Sequence, residues 1–219
     1  MPNRKTGSIA IVVLAGILLL TACHREENIV RIHTRMGDMR ARLFDSTPGH
    51  RDNFVRLIRT GFYDSLLFHR VQRDFMIQGG DPDSKRAPAG ALLGGGGPGY
   101  ELPAEIGAPH LRGALAAARL PDAANPARRS NGSQFFIVQG RAQTDASLDQ
   151  LEQRTHTPIR PEWRAMYKQT GGAPQLDGQY TVFGMLVDGF EVLDRIAALP
   201  RDANDRPLED IRMQISVER

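Results

Sequence analysis

Apolar and polar residues alternate over 29–34 and again over 39–44, with Gly37-Asp38 between the two runs. A period of two belongs to a strand with one buried face, so these runs around a glycine turn predict an opening β-hairpin. The period then changes. Thr47-Pro48 offers an N-cap followed by a proline at the first helical position, Phe54, Leu57 and Ile58 fall at helical spacing, and Gly61 follows as a stop; a helix is predicted over 48–60. Short apolar stretches at 66–71, 75–78, 114–118, 134–138 and 180–187, separated by glycine- and proline-rich turns, predict further strands. Residues 189–199 read as a second core helix with Phe190, Val192, Leu193, Ile196 and Ala197 on its apolar face, and 211–217 closes the chain as a strand.

Many short strands with one helix early and one late predict a mainly β fold, a closed antiparallel barrel with helices capping its ends. A parallel βαβ fold would need more helices. Residues 83–99 are loop by composition, rich in Gly, Ala and Pro. Residues 139–175 differ in character: Thr144-Asp145 can cap a helix running through Arg154, and Pro161 can start another that ends before Gly171-Gly172. This is a helical insertion into one domain spanning 29–219.

A chain of 219 residues that is 41% hydrophobic and 24% charged, with one cysteine, has ordinary globular composition and excludes disorder, collagen-like repeats and a disulfide scaffold. The formal charge of +3 raises the question of nucleic acid, but part of it belongs to the amino end. Residues 9–20 are twelve residues without a charge, preceded by Arg4 and Lys5 and followed by Thr21, Ala22 and Cys23. The run is short against the roughly 20 residues a membrane span needs, and it fits the apolar core of an export signal. Leu20-Thr21-Ala22-Cys23 resembles a bacterial lipobox. That resemblance implies a signal peptide over 1–22, cleavage before Cys23, acyl chains on Cys23, and a tether over 23–28. The protein is then expected outside the cytoplasm, lipid-anchored to a bacterial membrane on its periplasmic side or at the cell surface. Loss of Arg4 and Lys5 with the signal leaves a formal charge of +1, and no Lys/Arg block with interleaved aromatics suggests nucleic acid.

Several literal motif matches carry no chemistry. Gly94, Gly96 and Gly99 satisfy G-x-G-x-x-G, but Pro98 interrupts the pattern and neither a feeding strand nor a following helix is predicted, so the run reads as a flexible loop. The six histidines are scattered singly, which argues against a metal site. Ser133 lacks a nucleophile elbow. What remains are two dense segments, Phe68-His69-Arg70-Val71-Gln72-Arg73-Asp74-Phe75-Met76-Ile77-Gln78-Gly79-Gly80-Asp81 and Asn131-Gly132-Ser133-Gln134-Phe135-Phe136-Ile137. Each sets hydrogen-bond donors beside large apolar side chains. Spacing alone leaves two readings open: a binding surface, or core Phe and Met with solvated Arg and Gln.

With Gly99-Tyr100-Glu101-Leu102-Pro103-Ala104-Glu105-Ile106, with 113–118 and with Leu176-Asp177-Gly178-Gln179-Tyr180-Thr181-Val182-Phe183-Gly184, these segments fall in an order that resembles the cyclophilin family of peptidyl-prolyl cis-trans isomerases across 29–217. The resemblance implies Arg70 as the catalytic arginine, Phe75, Met76, Phe136 and Leu176 as walls of a proline pocket, Gln78 and Gln134 as groups that position the substrate backbone, and Ala118 as a backbone contact. Three positions depart from the best-known eukaryotic members. Gln175 replaces a tryptophan, removing an aromatic surface and an indole donor that tight cyclosporin binding would use; Tyr180 replaces a histidine but can still wall the pocket; Arg119 replaces an asparagine and could favour particular residues beside the proline. The insertion is absent from minimal members. The implied protein is a monomer that acts on proline-containing polypeptides with no cofactor and no metal. Two other readings stand beside it, a non-catalytic proline-binding adaptor or holdase and a carbohydrate- or lipid-binding barrel.

Overall fold

The computed structural model describes residues 28–218. The signal at 1–22, Cys23 and the tether through residue 27 lie outside the described residues, as does Arg219. In chain order the elements are β1 (Ile29–Thr34), β2 (Gly37–Leu43), α1 (Pro48–Arg59), β3 (Phe68–Gln72), β4 (Met76–Gly79), β5 (Glu101–Leu102), β6 (Ala114–Ala117), β7 (Ser130–Asn131), β8 (Phe135–Val138), α2 (Asp145–Thr155), α3 (Pro161–Thr170), β9 (Val182–Asp188), α4 (Phe190–Ala197) and β10 (Met213–Val217). Eight strands pair antiparallel in the order β10-β1-β2-β9-β6-β8-β4-β3, and β5 with β7 forms a separate two-stranded ribbon. The two edges of the large sheet meet. Leu67 bridges Arg212, and the amides of Phe68 and Met213 donate to the carbonyls of Ile211 and Leu66 at 2.9 and 2.8 Å. The curled sheet is thereby closed, as the strand pattern predicts.

The period of two places alternate residues inside the barrel. Val30 and Ile32 of β1, Met39 and Ala41 of β2, and Ile215 of β10 are buried in one cluster, and the register sets Ile32 opposite both Met39 and Ile215. Helix α1 lies against β9 and β10, and α4 against β2, β3 and β4. Phe54 of α1 meets Tyr63, Phe135 and Phe183 at ring distances of 5.0 to 5.3 Å, the aromatic centre of the interior.

Helix α1 stops as the sequence predicts. Gly61, with a positive φ of 66°, takes the left-handed turn; its amide reaches the carbonyl of Ile58 and that of Phe62 reaches Leu57, which satisfies two of the free carbonyls. Its start differs from the expectation. Thr47 precedes the helix but makes no side-chain cap; its hydroxyl turns back to Phe44. The cap comes from Glu105, whose carboxylate accepts the amides of Gly49 and His50 at 3.0 and 2.9 Å and the His50 Nδ1–H at 2.6 Å. The other ring nitrogen of His50 meets the Ser130 hydroxyl.

Burial pulls the His50 pKa down against the raising effect of Glu105. For Glu105, burial works upward, but the hydrogen bonds from His50 and Gly49 outweigh it and the carboxyl sits below its ordinary value. Both folded-state pKa values are therefore lower than the unfolded ones. Each group favours the fold above its ordinary pKa, 6.5 for His50 and 4.5 for Glu105, and that contribution is lost as pH falls through the folded value. Glu105→Ala is expected to lower stability by about 2 kcal/mol at pH 7, by removing the cap and leaving the buried His50 Nδ1 without its partner. Urea unfolding should show the variant losing more stability than the parent as pH falls below 6.5, because His50 has lost the carboxylate that raised its pKa, and less below 4.5, where the parent loses the contribution of Glu105.

The strands of the large sheet begin and end within two residues of their predicted limits, whereas the β5–β7 ribbon has no counterpart among the predicted strands. Residues 82–86 form a short 3-10 turn inside the expected loop, and 174–176 form another. The glycine run is also firmer than its composition suggests. Wholly buried Asp81 accepts the amides of Gly94 and Gly96, and the Gly96 carbonyl accepts from Gln134 and Asn131. A Cβ on Gly96 would lie 2.1 Å from Asp81 Oδ1, so glycine is required there for close approach.

The insertion leaves and rejoins the barrel at one point, where Gly172 bridges both Arg141 and Leu111. Thr144 and Ser147 cap α2 reciprocally, and Arg164 of α3 ties to Asp145, Asp149 and Glu152 of α2. These clasp the two helices into a hairpin.

Candidate active site

The outer face of the barrel carries a second apolar cluster, built on β4, β6 and β8. Along β6 the outward residues Ala114 and Ala116 are small, which leaves space above the sheet for larger side chains from its neighbours. Register then assembles a row across four strands: Arg70 of β3 opposite Gln78 of β4, Gln78 opposite Phe136 of β8, and Phe136 opposite Ala116 of β6. With strands about 4.8 Å apart, the guanidinium-bearing residue and the aromatic wall sit roughly 10 Å from one another along this row.

Between them lies a hollow of about 120 Å³ lined by Arg70, Phe75, Met76, Gln78, Ala118, Arg119, Phe136, Leu176 and Tyr180. Gln134 faces an adjoining hollow of about 360 Å³, which shares Gln78, Ala118 and Arg119 and is bounded by the glycine run and Tyr100. All ten residues expected from the sequence to form the proline site thus fall on one continuous depression. Met76 and Phe136 form its floor, and the rings of Phe136 and Tyr180 stand edge to face at 5.6 Å.

The polar groups are held in a chain. Arg70 Nη1 donates to Gln78 Oε1 at 3.3 Å, Gln78 Nε2 to Gln134 Oε1 at 3.0 Å, and Gln134 Nε2 to the carbonyls of Gly94 and Gly96. On its far side the Arg70 Nε lies 3.7 Å from Asp205 Oδ2, which also receives Gln72 Nε2. The guanidinium is thus fixed from two directions while its side chain keeps 39% of its exposure. Neighbouring His69 is buried and its pKa is pushed down to about 4, chiefly by burial with Arg70 adding to the effect. That imidazole is neutral at pH 7, leaving Arg70 as the cation on β3.

Ala118 donates its amide to Gln134 and accepts from the Asn131 amide, so the backbone at this point is locked to the β7–β8 connection. Arg119 is committed rather than free. Its side chain is 3% exposed, bonded to the carbonyls of Gln179 and Leu120, paired with Asp122 at 2.6 Å and stacked 4.7 Å from the Tyr180 ring centre. Its contribution is to hold Tyr180 in place. Gln175 is exposed and lies outside the small hollow.

Behind the pocket wall sits a buried network that the sequence does not announce. Asp177, next to Leu176, accepts from the backbone and Nδ1 of His110 at 2.8 and 2.9 Å, and from the Tyr167 hydroxyl at 2.7 Å. His110 in turn stacks on Phe136 and meets Tyr180 edge-on. Burial, together with the Asp177 charge, drives the Tyr167 pKa far upward, so the phenol stays a donor. Asp205 escapes sequence reasoning for the same cause: 133 residues separate it from Gln72, and nothing local marks it.

An apolar ring-sized hollow edged by the Arg70 guanidinium, with no Ser, Cys, Thr, Lys, His or carboxylate among its lining residues, suits a reaction that rearranges a bound group without forming a covalent bond to the protein. Comparison with known proteins agrees. The family of cyclophilin type peptidyl-prolyl cis-trans isomerases, grouped with CLD, matches residues 29–217. A protein of Staphylococcus haemolyticus whose name provisionally gives it as a peptidyl-prolyl cis-trans isomerase is 38% identical over 184 residues, covering 83% of this chain and 86% of that one. A Staphylococcus aureus protein of the same description is 39% identical over 184 residues, with 83% and 87% covered. Among solved structures, a Cryptosporidium parvum cyclophilin type isomerase, crystallised in the presence of the dipeptide Ala-Pro, superposes with a TM-score of 0.64 at 30% identity over 87% of this chain and 99% of that one. With matching segments in order along the whole barrel, the chain belongs to the cyclophilin-type peptidyl-prolyl cis-trans isomerases.

Proposed function

We propose that this enzyme turns X-Pro bonds in exported polypeptides while acyl chains on Cys23 hold it at a membrane, and that Arg70 is its catalytic residue. Amide resonance sets a rotation barrier of about 18–20 kcal/mol, although the two isomers of an X-Pro bond differ by only about 0.5–1 kcal/mol. Acceleration requires only that the twisted amide be bound better than either planar form. As the bond twists, the prolyl nitrogen regains a lone pair, and the Arg70 guanidinium donates a hydrogen bond to it. Phe75, Met76, Phe136, Leu176 and Tyr180 grip the ring. Gln78, Gln134 and the Ala118 backbone hold the acyl side along the adjoining hollow, so one part turns against the other.

Uncatalysed exchange takes tens to hundreds of seconds and ordinary turnover is about 1 to 1,000 per second, so the demand is roughly 3–7 kcal/mol. One charged hydrogen bond and orientation supply that range. The observation that carries this reading is the Arg70 guanidinium, braced by Gln78 and Asp205 at the edge of an apolar hollow. A binding adaptor has no use for such a fixed donor. Substoichiometric acceleration of a proline-limited refolding reaction tests it; no acceleration overturns it.

The anchor reading rests on the charged, apolar and small-residue order of 1–23. Replacing Cys23 by Ser should abolish labelling with radioactive fatty acid and release the protein from membrane fractions. Membrane retention of an unlabelled variant would instead indicate an uncleaved amino-terminal anchor.

A further inference from the structure

The insertion does more than lengthen the chain. Where the α2–α3 hairpin meets the barrel it encloses a cavity of about 670 Å³, a volume typical of ligand sites. Its apolar lining includes Ile106, Ile159 and Pro174, and Trp163 stands on the first turn of α3. Arg160, the residue preceding that helix, stacks its guanidinium 4.7 Å from the Trp163 ring centre, and among the described residues it makes no ion pair. The other basic group, Arg128, bonds the Gly178 carbonyl and Asp122. Of the carboxylates nearby, Asp177 is held by His110 and Tyr167 and Glu152 by Arg164 and the Ile159 amide, while Glu162 on the first turn of α3 is not among the residues that line the cavity. No side chain caps α3, so its first-turn amides add to the positive character of this rim.

Cavity and proline hollow are two sides of one strip. Leu176 and Tyr180 line the hollow, whereas Pro174, Asp177, Gly178 and Gln179 line the cavity. We propose that the cavity is a second client subsite, which takes a carboxylate-bearing residue and an adjacent apolar side chain of the same polypeptide whose proline occupies the hollow. The carboxylate pairs with Arg160, and the apolar group packs on Trp163 and Ile159. This rests on the isomerase reading for the direction of the client chain; the cavity's preference for acidic peptide does not.

Trp163 is the single tryptophan of the chain, so its emission reports this cavity. The full-length protein in mild detergent is titrated with a proline-free peptide rich in Glu and Leu, and with the same peptide carrying Gln for Glu. Saturable change with the acidic peptide, at least about fivefold weaker binding of the Gln form, and loss of the response in Arg160→Glu are expected, fivefold corresponding to about 1 kcal/mol. Arg160→Glu should also raise KM for an acidic proline-limited refolding client about fivefold, while leaving isomerisation of a short Ala-Pro peptide unchanged. Equal binding of both peptides, an unaltered response in Arg160→Glu, a response only to anionic vesicles, or one that tracks protein self-association overturns the subsite. Peptide binding without any isomerisation would instead overturn the function proposed above and leave the subsite standing.

Discussion

Arg70→Ala is expected to reduce kcat/KM for prolyl isomerisation by about 10²- to 10³-fold, the usual loss when one preorganised donor to a transition state is removed. The fold should tolerate it. Arg70 lies on the barrel's outer face, half in solvent, and its bond to Gln78 and its loose contact with Asp205 are both replaceable by water. Thermal unfolding should therefore shift by no more than the small change typical of a surface substitution, about 0.5 kcal/mol. Arg70→Lys should recover little of the rate. An ammonium is a point donor on a flexible stem and cannot bond Gln78, lean on Asp205 and still present a planar N–H to the prolyl nitrogen. Rates of a proline-limited refolding reaction, measured with matched amounts of parent and variant, decide the matter; equal rates would remove Arg70 from the mechanism.

The second large effect comes from two adjacent phenylalanines with opposite fates. On β8, Phe135 points into the barrel, where it meets Phe54, Tyr63 and Phe68 edge-on at 5.3 to 6.1 Å, and Phe136 points out onto the floor of the hollow. Phe135→Ala is expected to cost about 3–5 kcal/mol of stability, by leaving an empty space among packed rings that cannot collapse. Activity per folded molecule should persist.

Phe136→Ala should differ in its effect on rate. The ring is buried against His110 and Tyr180, so this variant also loses stability, but each folded molecule in addition forfeits much of the grip on the proline ring, roughly 1.5–3 kcal/mol or 10- to 100-fold in kcat/KM. Urea midpoints paired with isomerase rates per folded molecule separate the two, and an equal loss of rate in both variants would mean that the two side chains do not divide between interior and site.

That pair also shows what can be read in a linear sequence. Period two assigns Phe135 and Phe136 to opposite faces, but it does not say which face is the inside. Spacing leaves Arg70 and Gln78 equally open as solvated side chains. Only the matching segments in order resolve those choices. The strands, both core helices and the insertion's helices are legible because each depends on neighbours within a few residues: the stop at Gly61, the Thr144–Ser147 cap, the proline that starts α3. What escapes is long-range. Glu105 caps α1 across 55 residues, Asp205 braces the site across 133, and Tyr167 reaches Asp177 from a helix whose own amphipathicity says nothing of a pocket. The glycine run reads as loose because composition shows its freedom and not the buried carboxylate of Asp81 that removes it.

The barrel's closure has a consequence for how the chain is born. Val30 pairs with Val217, and the seam at Leu67 awaits Arg212, so the first strand made pairs early with β2 but finds its second neighbour only when the last is present. Such high contact order places folding in the millisecond-to-second range, not the microseconds of a helical bundle. Until β10 arrives, β1 and β3 remain open edges able to pair with other chains. A protein assembled this way is committed late. It emerges from synthesis with its barrel unsealed, and it becomes an isomerase only after β10 has been delivered.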